Sequence, residues 1–350
     1  MASFFVMRWF VVFALVSSAA VCSAQSSNVP GPFKLHWGVG STLPQIQTGT
    51  VPIENDIVLF TEGGFGRFPK QGPHMIELWP GGREAFYESH LAEVRRLIEY
   101  YIPDPNWAGY ATVDYETWLP RWYGLYNAPS SAPYDAEDRD YLDDWRDYIR
   151  QNRALLLAGL TVEQQEDVFK STWLAATREF FTRTIRECKR LRPTAKWGYY
   201  GLPNRYYFPF AVSGNQFREE REQIPGHNDT EIGWLADEVD VFFPCIYTFY
   251  RSVNNPRWGF PEDSFTNNTD YIRGNIQEAM RVARGKPVLP YIWYLYHDST
   301  PSLRNVFLSE FNLRNTITVP QQTGAIGVIM WGNVTTQQER ASLQSYFDSD

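Results

Sequence analysis

Two carboxylic residues lie two positions apart in the stretch YATVDYETWLPRW, which covers positions 110–122. On a β-strand alternate side chains share a face, so Thr112, Asp114 and Glu116 are predicted to point the same way. Two carboxylates held this close repel each other, which raises the proton affinity of one of them. A carboxyl group that keeps its proton near neutral pH can act as a general acid. The residues alone leave a second interpretation open, in which the pair forms a solvated strand end next to Arg121.

Seven short apolar runs would position this pair, at 34–39, 57–60, 110–116, 196–201, 239–247, 287–294 and 325–332. Nearly continuous apolar runs are typical of strands buried on both faces of a parallel sheet. The stretches between them have helical periodicity. Thr161-x-x-Gln164 has the pattern of a capping box opening a helix to about Leu191, and a shorter helix is predicted over 302–316. The alternation predicts an α/β fold, a single TIM-like (β/α) barrel with about seven strands, and a doubly wound sheet is the alternative.

Aromatic side chains with polar atoms gather where the predicted strands end: Tyr199, Tyr200, Tyr247, Tyr291, Trp293 and Trp331. Aromatic residues make up 16% of the chain, more than a core alone usually needs. Tyr and Trp combine a flat apolar face with a hydrogen-bonding group. Because the carboxyl ends of barrel strands form the catalytic face, the clustering indicates a sugar-binding groove beside the carboxyl pair.

Five segments in order along the chain resemble the animal and venom hyaluronidases, glycoside hydrolase family 56. They are VDYETWLPRWYGLYN, RPTAKWGYYGLP, FFPCIYTFY, KPVLPYIWYLY and GVIMWG. The first is similar to the family signature D-[FWY]-E-x-W-x-P, and the resemblance runs from about His36 to Trp331. It implies a retaining endo-β-N-acetylhexosaminidase in which the acetamido oxygen of the substrate attacks the anomeric carbon. Such substrate assistance is an exception to the usual two-carboxylate scheme.

The resemblance also implies roles for individual residues. Glu116 matches the proton donor of the family and Asp114 its partner carboxylate, while Tyr200 matches the tyrosine that positions the N-acetyl group. The expected substrate-binding residues are Tyr247, Trp331, Tyr291, Trp293 and Asn333. The chemistry requires no metal ion and no cofactor.

Hyaluronan is the first substrate that the resemblance implies. The net charge of -8 disfavours a polyanion, so chondroitin or a neutral N-acetylglucosamine polymer stays open. Four arginines near predicted loop ends could offset that charge locally: Arg121, Arg205, Arg251 and Arg257. Two substrate-contact regions depart from the family. The chain reads Phe60-Thr61-Glu62-Gly63-Gly64 where the family has a Tyr-Asp pair, and Gly332-Asn333-Val334 where it often has serines.

Other classes of protein have weaker support. A chitinase of family 18 would need Asp at positions 109 and 112, where this chain has Gly109 and Thr112. The five histidines form no HExxH motif, and neither G-x-S-x-G nor a complete GxGxxG is present. An acidic chain without a long basic run is a poor binder of nucleic acid. A catalytically silent carbohydrate-binding barrel is the rival from outside the enzymes.

The start of the chain has the pattern of a secretory signal peptide over 1–24. An apolar run at 9–20 is short for a membrane span, and Cys22-Ser23-Ala24 supplies a small-residue cleavage site. The catalytic barrel is expected over 25–350, in a monomer that is secreted or lumenal and has no membrane span. Sequons at Asn228, Asn267 and Asn333 fit that route. Cys188 and Cys245 are predicted to be buried thiols, although a bridge between them stays open.

Overall fold

A computed structural model describes residues 32–40, 53–122, 136–203, 223–249, 251, 264–298 and 301–348. The strands within these ranges are β1 (Lys34–Gly40), β2 (Ile53–Glu54), β3 (Ile57–Thr61), β4 (Tyr110–Asp114), β5 (Lys196–Tyr199), β6 (Tyr291–Trp293) and β7 (Gly327–Asn333). The helices are α1 (His74–Glu77), α2 (Gly82–Tyr101), α3 (Ala136–Asn152), α4 (Val162–Leu191), α5 (Leu235–Glu238), α6 (Ser264–Ala283), α7 (Glu310–Thr323) and α8 (Gln337–Asp348). The predicted signal peptide over 1–24 lies outside the described residues.

All the strand pairs are parallel and form two sheets, ordered β2-β1-β7-β6 and β3-β4-β5. The segment 242–245 connects the sheets through three isolated parallel bridges: Tyr200 with Phe243, Phe242 with Val288, and Cys245 with Tyr291. On the other side β1 lies beside β3, where Ile57 is 3.8 Å from the place of a Cβ atom on Gly38. The neighbours therefore follow one another as β3, β4, β5, 242–245, β6, β7 and β1. This is the predicted TIM-like barrel with seven positions.

The fifth predicted strand, 239–247, forms bridges instead of a continuous strand. Pro244 lies inside it and has no N–H to donate to a ladder, which interrupts the pairing. Hydrogen bonds form on either side of Pro244, where Phe242 N donates to Pro287 O at 3.0 Å and Ile246 N donates to Tyr291 O at 3.1 Å. Gly198 permits the close approach of β5, because a Cβ atom there would lie 2.2 Å from the Val241 carbonyl oxygen.

The long helix α4 begins as the sequence predicts. Thr161 Oγ1 accepts from Gln164 N at 3.3 Å, and Gln164 Oε1 accepts from Thr161 N at 2.9 Å, which completes the capping box. Its buried face carries Trp173, Phe180 and Cys188. The Cys188 thiol is therefore part of the core, as predicted, and both Cys188 and Cys245 are free.

The prediction of a helix over 302–316 is wrong in its bounds. Residues Pro301–Leu303 form a 3₁₀ turn, and Leu295 then bridges Phe307 in antiparallel fashion. This pairing keeps the backbone extended until Ser309, whose side chain caps α7 by accepting from Asn312 N. None of the described helices combines the length and the apolar composition needed to cross a membrane.

Candidate active site

The carboxyl pair lies where β4 ends. Asp114 is the last residue of the strand, pairs with Thr61 of β3 and has a half-buried side chain. Glu116 follows just outside the strand and is exposed at the mouth of the barrel. Asp114 donates a hydrogen bond to the Glu116 carboxylate. The predicted strand over 110–116 is therefore two residues too long, but the two carboxyl groups do meet.

Both carboxyl groups hold protons more tightly than usual. Burial, and then the charge of Glu116, raises the pKa of Asp114 to about 9. Burial also raises the pKa of Glu116, against the hydrogen bond from Asp114, and the negative charge of Glu62 adds to the increase. Solvent reaches Glu116 from the open end while protein surrounds its other sides. Two such groups titrate as a pair, and because the pKa of Asp114 is raised to about 9 the pair retains a shared proton at neutral pH.

One oxygen of Asp114 has an unused capacity to accept. Asp114 Oδ1 is buried and has no hydrogen-bond partner within the described ranges. A buried polar atom without a partner destabilises the folded protein by roughly 1–3 kcal/mol, which native proteins tolerate mainly at functional positions. A ligand that brings an N–H group would satisfy this oxygen.

Tyr200 stands next to the pair, directly after β5. Its ring centroid is 5.2 Å from that of Tyr291 and 6.3 Å from that of Tyr247. The Tyr200 hydroxyl donates to the Cys245 sulfur, which also accepts from the backbone N–H of Tyr247. Burial raises the pKa of Tyr200 well above its ordinary value. The phenol therefore keeps its proton near neutral pH.

Three predicted substrate-binding residues form an aromatic wall. Tyr247 stacks on Trp331 at a centroid distance of 5.7 Å and an interplanar angle of 29°. Trp293 lies edge-on to Trp331 at 4.9 Å and 5.7 Å from Tyr247. His297 flanks this wall at 6.1 Å from Tyr247, and burial lowers the pKa of the imidazole to about 4. Neutral rings thus line this side of the mouth.

The other two predicted contact residues occupy different environments. Tyr291 is 1% exposed and donates its hydroxyl to Thr112 Oγ1 at 2.8 Å, which places it inside the barrel beneath Asp114. Asn333 is exposed at the end of β7, and its backbone N–H donates to the Tyr294 hydroxyl. The departure at Gly332 has a steric cause, since a Cβ atom there would lie 2.3 Å from the Tyr294 ring.

Arg121 does not neutralise the pair. It is buried and donates from Nη2 to Asn228 Oδ1 at 3.0 Å, and Asn228 Nδ2 in turn donates to Glu278 at 2.7 Å. The alternative of a strand end paired with Arg121 is therefore not what the structure contains. Asn228 is fully buried in this network, so the folded chain offers no access to that sequon, whereas Asn333 is accessible.

The sequence interpretation missed two residues of the site, Glu62 and Cys245. Glu62 directly follows β3 and accepts hydrogen bonds from the segment that carries Glu116. Its place at the carboxyl end of a strand was a usable signal. Cys245 was assigned to the core, although strand alternation puts it on the same face as Tyr247, two positions later. The described residues contain no group of His, Cys, Asp and Glu side chains with the arrangement of a metal site.

The barrel fold is shared with solved structures. The crystal structure of bee venom hyaluronidase matches with a TM-score of 0.65 and 21% identity, covering 91% of this chain and 98% of that chain. A structure of bee venom hyaluronidase in complex with a hyaluronic acid tetramer matches with a TM-score of 0.63 over 91% of this chain and 97% of that one.

The sequence model of the hyaluronidase family, glycoside hydrolase family 56, matches residues 44–349. The chain therefore belongs to the hyaluronidase family. Human hyaluronidase-1 is 27% identical over 308 residues, which are 84% of this chain and 63% of the human protein. Hyaluronidase of the honeybee Apis mellifera is 26% identical over 276 residues, covering 75% of this chain and 62% of the bee protein. The chain thus spans less than two thirds of the length of these relatives.

Proposed function

We propose that the protein is a secreted endo-β-N-acetylhexosaminidase that hydrolyses hyaluronan by a retaining, substrate-assisted mechanism, with Glu116 as the proton donor. The observation that carries the proposal is the hydrogen-bonded Asp114–Glu116 pair, which shares one proton at the carboxyl end of β4. Membership of the hyaluronidase family supports the reaction class. The hyaluronic acid tetramer bound to the bee venom enzyme supports the choice of substrate.

Asp114 is the group that receives the substrate's acetamide. Its unpartnered Oδ1 accepts the acetamide N–H, which stabilises the ionised form of Asp114 and lowers its proton affinity. The shared proton then resides on Glu116, the member of the pair that faces the open mouth. Substrate binding thus transfers the proton to Glu116, which is then ready to protonate the leaving group.

The first chemical step forms a bond between the acetamido oxygen and the anomeric carbon and breaks the glycosidic bond. Glu116 gives its proton to the leaving oxygen, and the Tyr200 hydroxyl orients the acetamide. Water then opens the oxazolinium-like intermediate, losing a proton to the Glu116 carboxylate. Because the nucleophile belongs to the substrate, the protein needs only to hold it in the attacking position, which can contribute roughly 7–11 kcal/mol to the barrier reduction.

The aromatic wall of Tyr247, Trp293 and Trp331 stacks on the sugar rings of the polymer. A neutral N-acetylglucosamine polymer is the second candidate substrate, with chondroitin between the two. One observation favours the neutral polymer. Within the described ranges, the outside charge that acts on both Asp114 and Glu116 is the negative charge of Glu62, which would repel a polyanion. Arg121 is buried against Asn228, Arg251 is exposed, and Arg205 and Arg257 lie outside the described residues.

The organisation that fits this function is a signal peptide over 1–24 followed by the catalytic barrel over 25–350. Such a protein works as a monomer in the extracellular space or a lumen, without metal ion or cofactor. A catalytically silent carbohydrate-binding barrel is less well supported, because binding alone requires no pair of carboxyl groups that share a proton.

The deciding experiment is a panel of hyaluronan, chondroitin and a neutral N-acetylglucosamine polymer, each incubated with the protein and analysed by size-exclusion chromatography. We expect hyaluronan to shorten and new reducing ends to appear, and Glu116→Gln serves as the matched control. Shortening of the neutral polymer alone would mean that the substrate is the neutral polymer and not hyaluronan, while the proposed reaction mechanism would stand. Intact polymers throughout, with retained binding, would favour the silent barrel.

A further inference from the structure

The backbone that carries Glu116 is held by a loop from the neighbouring strand. This loop, residues 62–69 directly after β3, is called the β3 loop. Glu62 Oε2 accepts from both Glu116 N and Thr117 N at 2.9 Å. Its other oxygen, Oε1, accepts from the Thr117 hydroxyl. A single carboxylate therefore accepts from three donors just after the end of β4, where the strand ladder no longer supplies acceptors for these N–H groups.

Two further contacts join the same segments without involving a charge. The Tyr115 hydroxyl donates to Phe65 O at 2.9 Å, and Trp118 Nε1 donates to Pro69 O at 2.8 Å. Both side chains are fully buried against the aromatic residues of α4. The β3 loop and the segment 115–118 thus form one hydrogen-bonded unit, and Glu62 is its member nearest the carboxyl pair.

The groups that face the pair from the surrounding strands differ from Glu62 in charge. Tyr200 after β5, Cys245 and Tyr247 from the bridging segment, and Tyr291 from β6 all stay neutral, because burial raises the pKa of each. Glu62 is a carboxylate that accepts three hydrogen bonds, which is the bonding pattern of the ionised form. It acts on Asp114 as well as on Glu116.

We propose that Glu62 is a positioning residue for the reaction: it fixes the backbone of Glu116 and places a second negative charge beside the Asp114–Glu116 pair, which carries one. The inference rests on the proposed function and extends it. The negative charge of Glu62 disfavours a further negative charge on the pair. It therefore keeps the shared proton on the Asp114–Glu116 pair up to a higher pH.

Two substitutions separate the charge from the hydrogen bonds. In Glu62→Gln the amide oxygen can accept both N–H groups and the amide nitrogen can donate to the Thr117 hydroxyl, so the geometry is kept and the charge is lost. We expect kcat at the optimum to stay within a few-fold of the wild type. The alkaline limb of the pH profile should move to lower pH by roughly one unit, as for loss of a like charge near a partly buried acid.

Glu62→Ala removes the hydrogen bonds as well as the charge. The alkaline limb should move as in Glu62→Gln, and kcat should fall by a further factor of about 10–100, because misplacing a catalytic group by about 1 Å has effects of this size. KM should change little, since both oxygens of Glu62 are already engaged by donors of residues 116 and 117. Restoration of kcat by Gln at this position would assign the loss to the hydrogen bonds.

Tyr115→Phe is the matched control, because it removes a neutral hydrogen bond between the same two segments. It should lower the melting temperature and leave the alkaline limb in place. A Glu62→Gln profile that superimposes on the wild-type profile would overturn the role of Glu62 while the proposed function stood. So would an equal shift of the limb in Tyr115→Phe.

Absence of turnover in the wild type would overturn the proposed function itself, and the inference would still be testable. Carbon-13 NMR of labelled side-chain carboxyl groups follows the titration of Asp114 and Glu116 without any substrate. The midpoint should be lower in Glu62→Gln than in the wild type and in Tyr115→Phe. Equal midpoints in all three proteins would refute the inference directly.

Discussion

Glu187 and Asp114 are both shielded from water, but the pKa of one lies below its ordinary value and the pKa of the other lies above it. Glu187 on α4 is 8% exposed and receives hydrogen bonds from Arg95 and Arg190, the latter at 2.7 and 2.8 Å. The hydrogen bond from Arg190, followed by that from Arg95, lowers the pKa of Glu187 to about 2. At the barrel mouth, burial and the charge of Glu116 raise the pKa of Asp114 to about 9.

The difference between these regions comes from the neighbours, since both groups are carboxyls removed from water. At Glu187 cations compensate the loss of hydration, so the ionised form is stabilised and the group contributes to folding. At Asp114 the neighbours are another carboxyl group and Glu62, so the proton is retained and stability is lost. Perturbation of this second kind is the one that makes a group useful as an acid.

The largest effect is expected for Glu116→Gln. The substitution keeps the shape of the side chain and removes its proton, so turnover should fall by about 10²–10⁴-fold, the usual contribution of a general acid. The initial rate of reducing-end formation measures it, and circular dichroism verifies that the fold is unchanged. A variant that retained near-normal turnover would remove Glu116 from the mechanism.

Paired substitutions at Glu187 and Asp114 should change stability in opposite directions. Glu187→Gln should lower the free energy of unfolding by about 1–2 kcal/mol at pH 7, a figure reduced because both arginines are partly exposed. The folded-state pKa of Glu187 is depressed, so its contribution exists above about pH 4.5 and disappears as the pH falls towards about 2.

Asp114→Asn should instead stabilise the protein, by an amount that grows as the pH rises. The raised folded-state pKa means that the wild type loses stability from about pH 4 up to about pH 9, while the asparagine variant does not. Denaturant unfolding at pH 4 and pH 8 tests both variants. If the two changed stability with the same sign at pH 8, the comparison between the two regions would be wrong.

Tyr200→Phe should have a smaller effect on catalysis than Glu116→Gln. The phenol is predicted to orient the acetamide, and one oriented hydrogen bond contributes about 1–2 kcal/mol, or roughly a tenfold change in kcat. KM should change little, because the aromatic wall that we propose binds the polymer is left intact. Weaker polymer binding with unchanged kcat would contradict this role and would show that Tyr200 contributes to substrate binding in general.

Treatment with a mild reductant should not change the stability or the activity of the protein. Cys188 and Cys245 are free thiols in different parts of the barrel, one in the core of α4 and the other beneath Tyr200. Thermal unfolding with and without a mild reductant should therefore give the same midpoint, and activity should not change. A marked drop in the midpoint would reveal a bridge.

The sequence predicted the barrel and the meeting of Asp114 with Glu116, because both follow from local periodicity. It did not predict where β4 ends, since that depends on Glu62, which comes from 54 positions earlier in the chain. The same limit applies to Arg121. Its position three residues after Trp118 and two after Leu119 says nothing of the buried partner Asn228, which lies 107 positions away. Pattern shows which residues share a strand face, and tertiary contacts decide which charges meet.

The anomeric configuration of the first product tests the central claim most directly. Attack by the acetamido oxygen inverts the anomeric carbon once and water inverts it again, so the two steps together retain the β configuration. Proton NMR of the anomeric signals in the first minutes of hyaluronan hydrolysis should show a β N-acetylhexosamine at the new reducing end, before mutarotation. An initial α product would mean direct attack by water and would contradict the substrate-assisted mechanism, even if Glu116 proved essential.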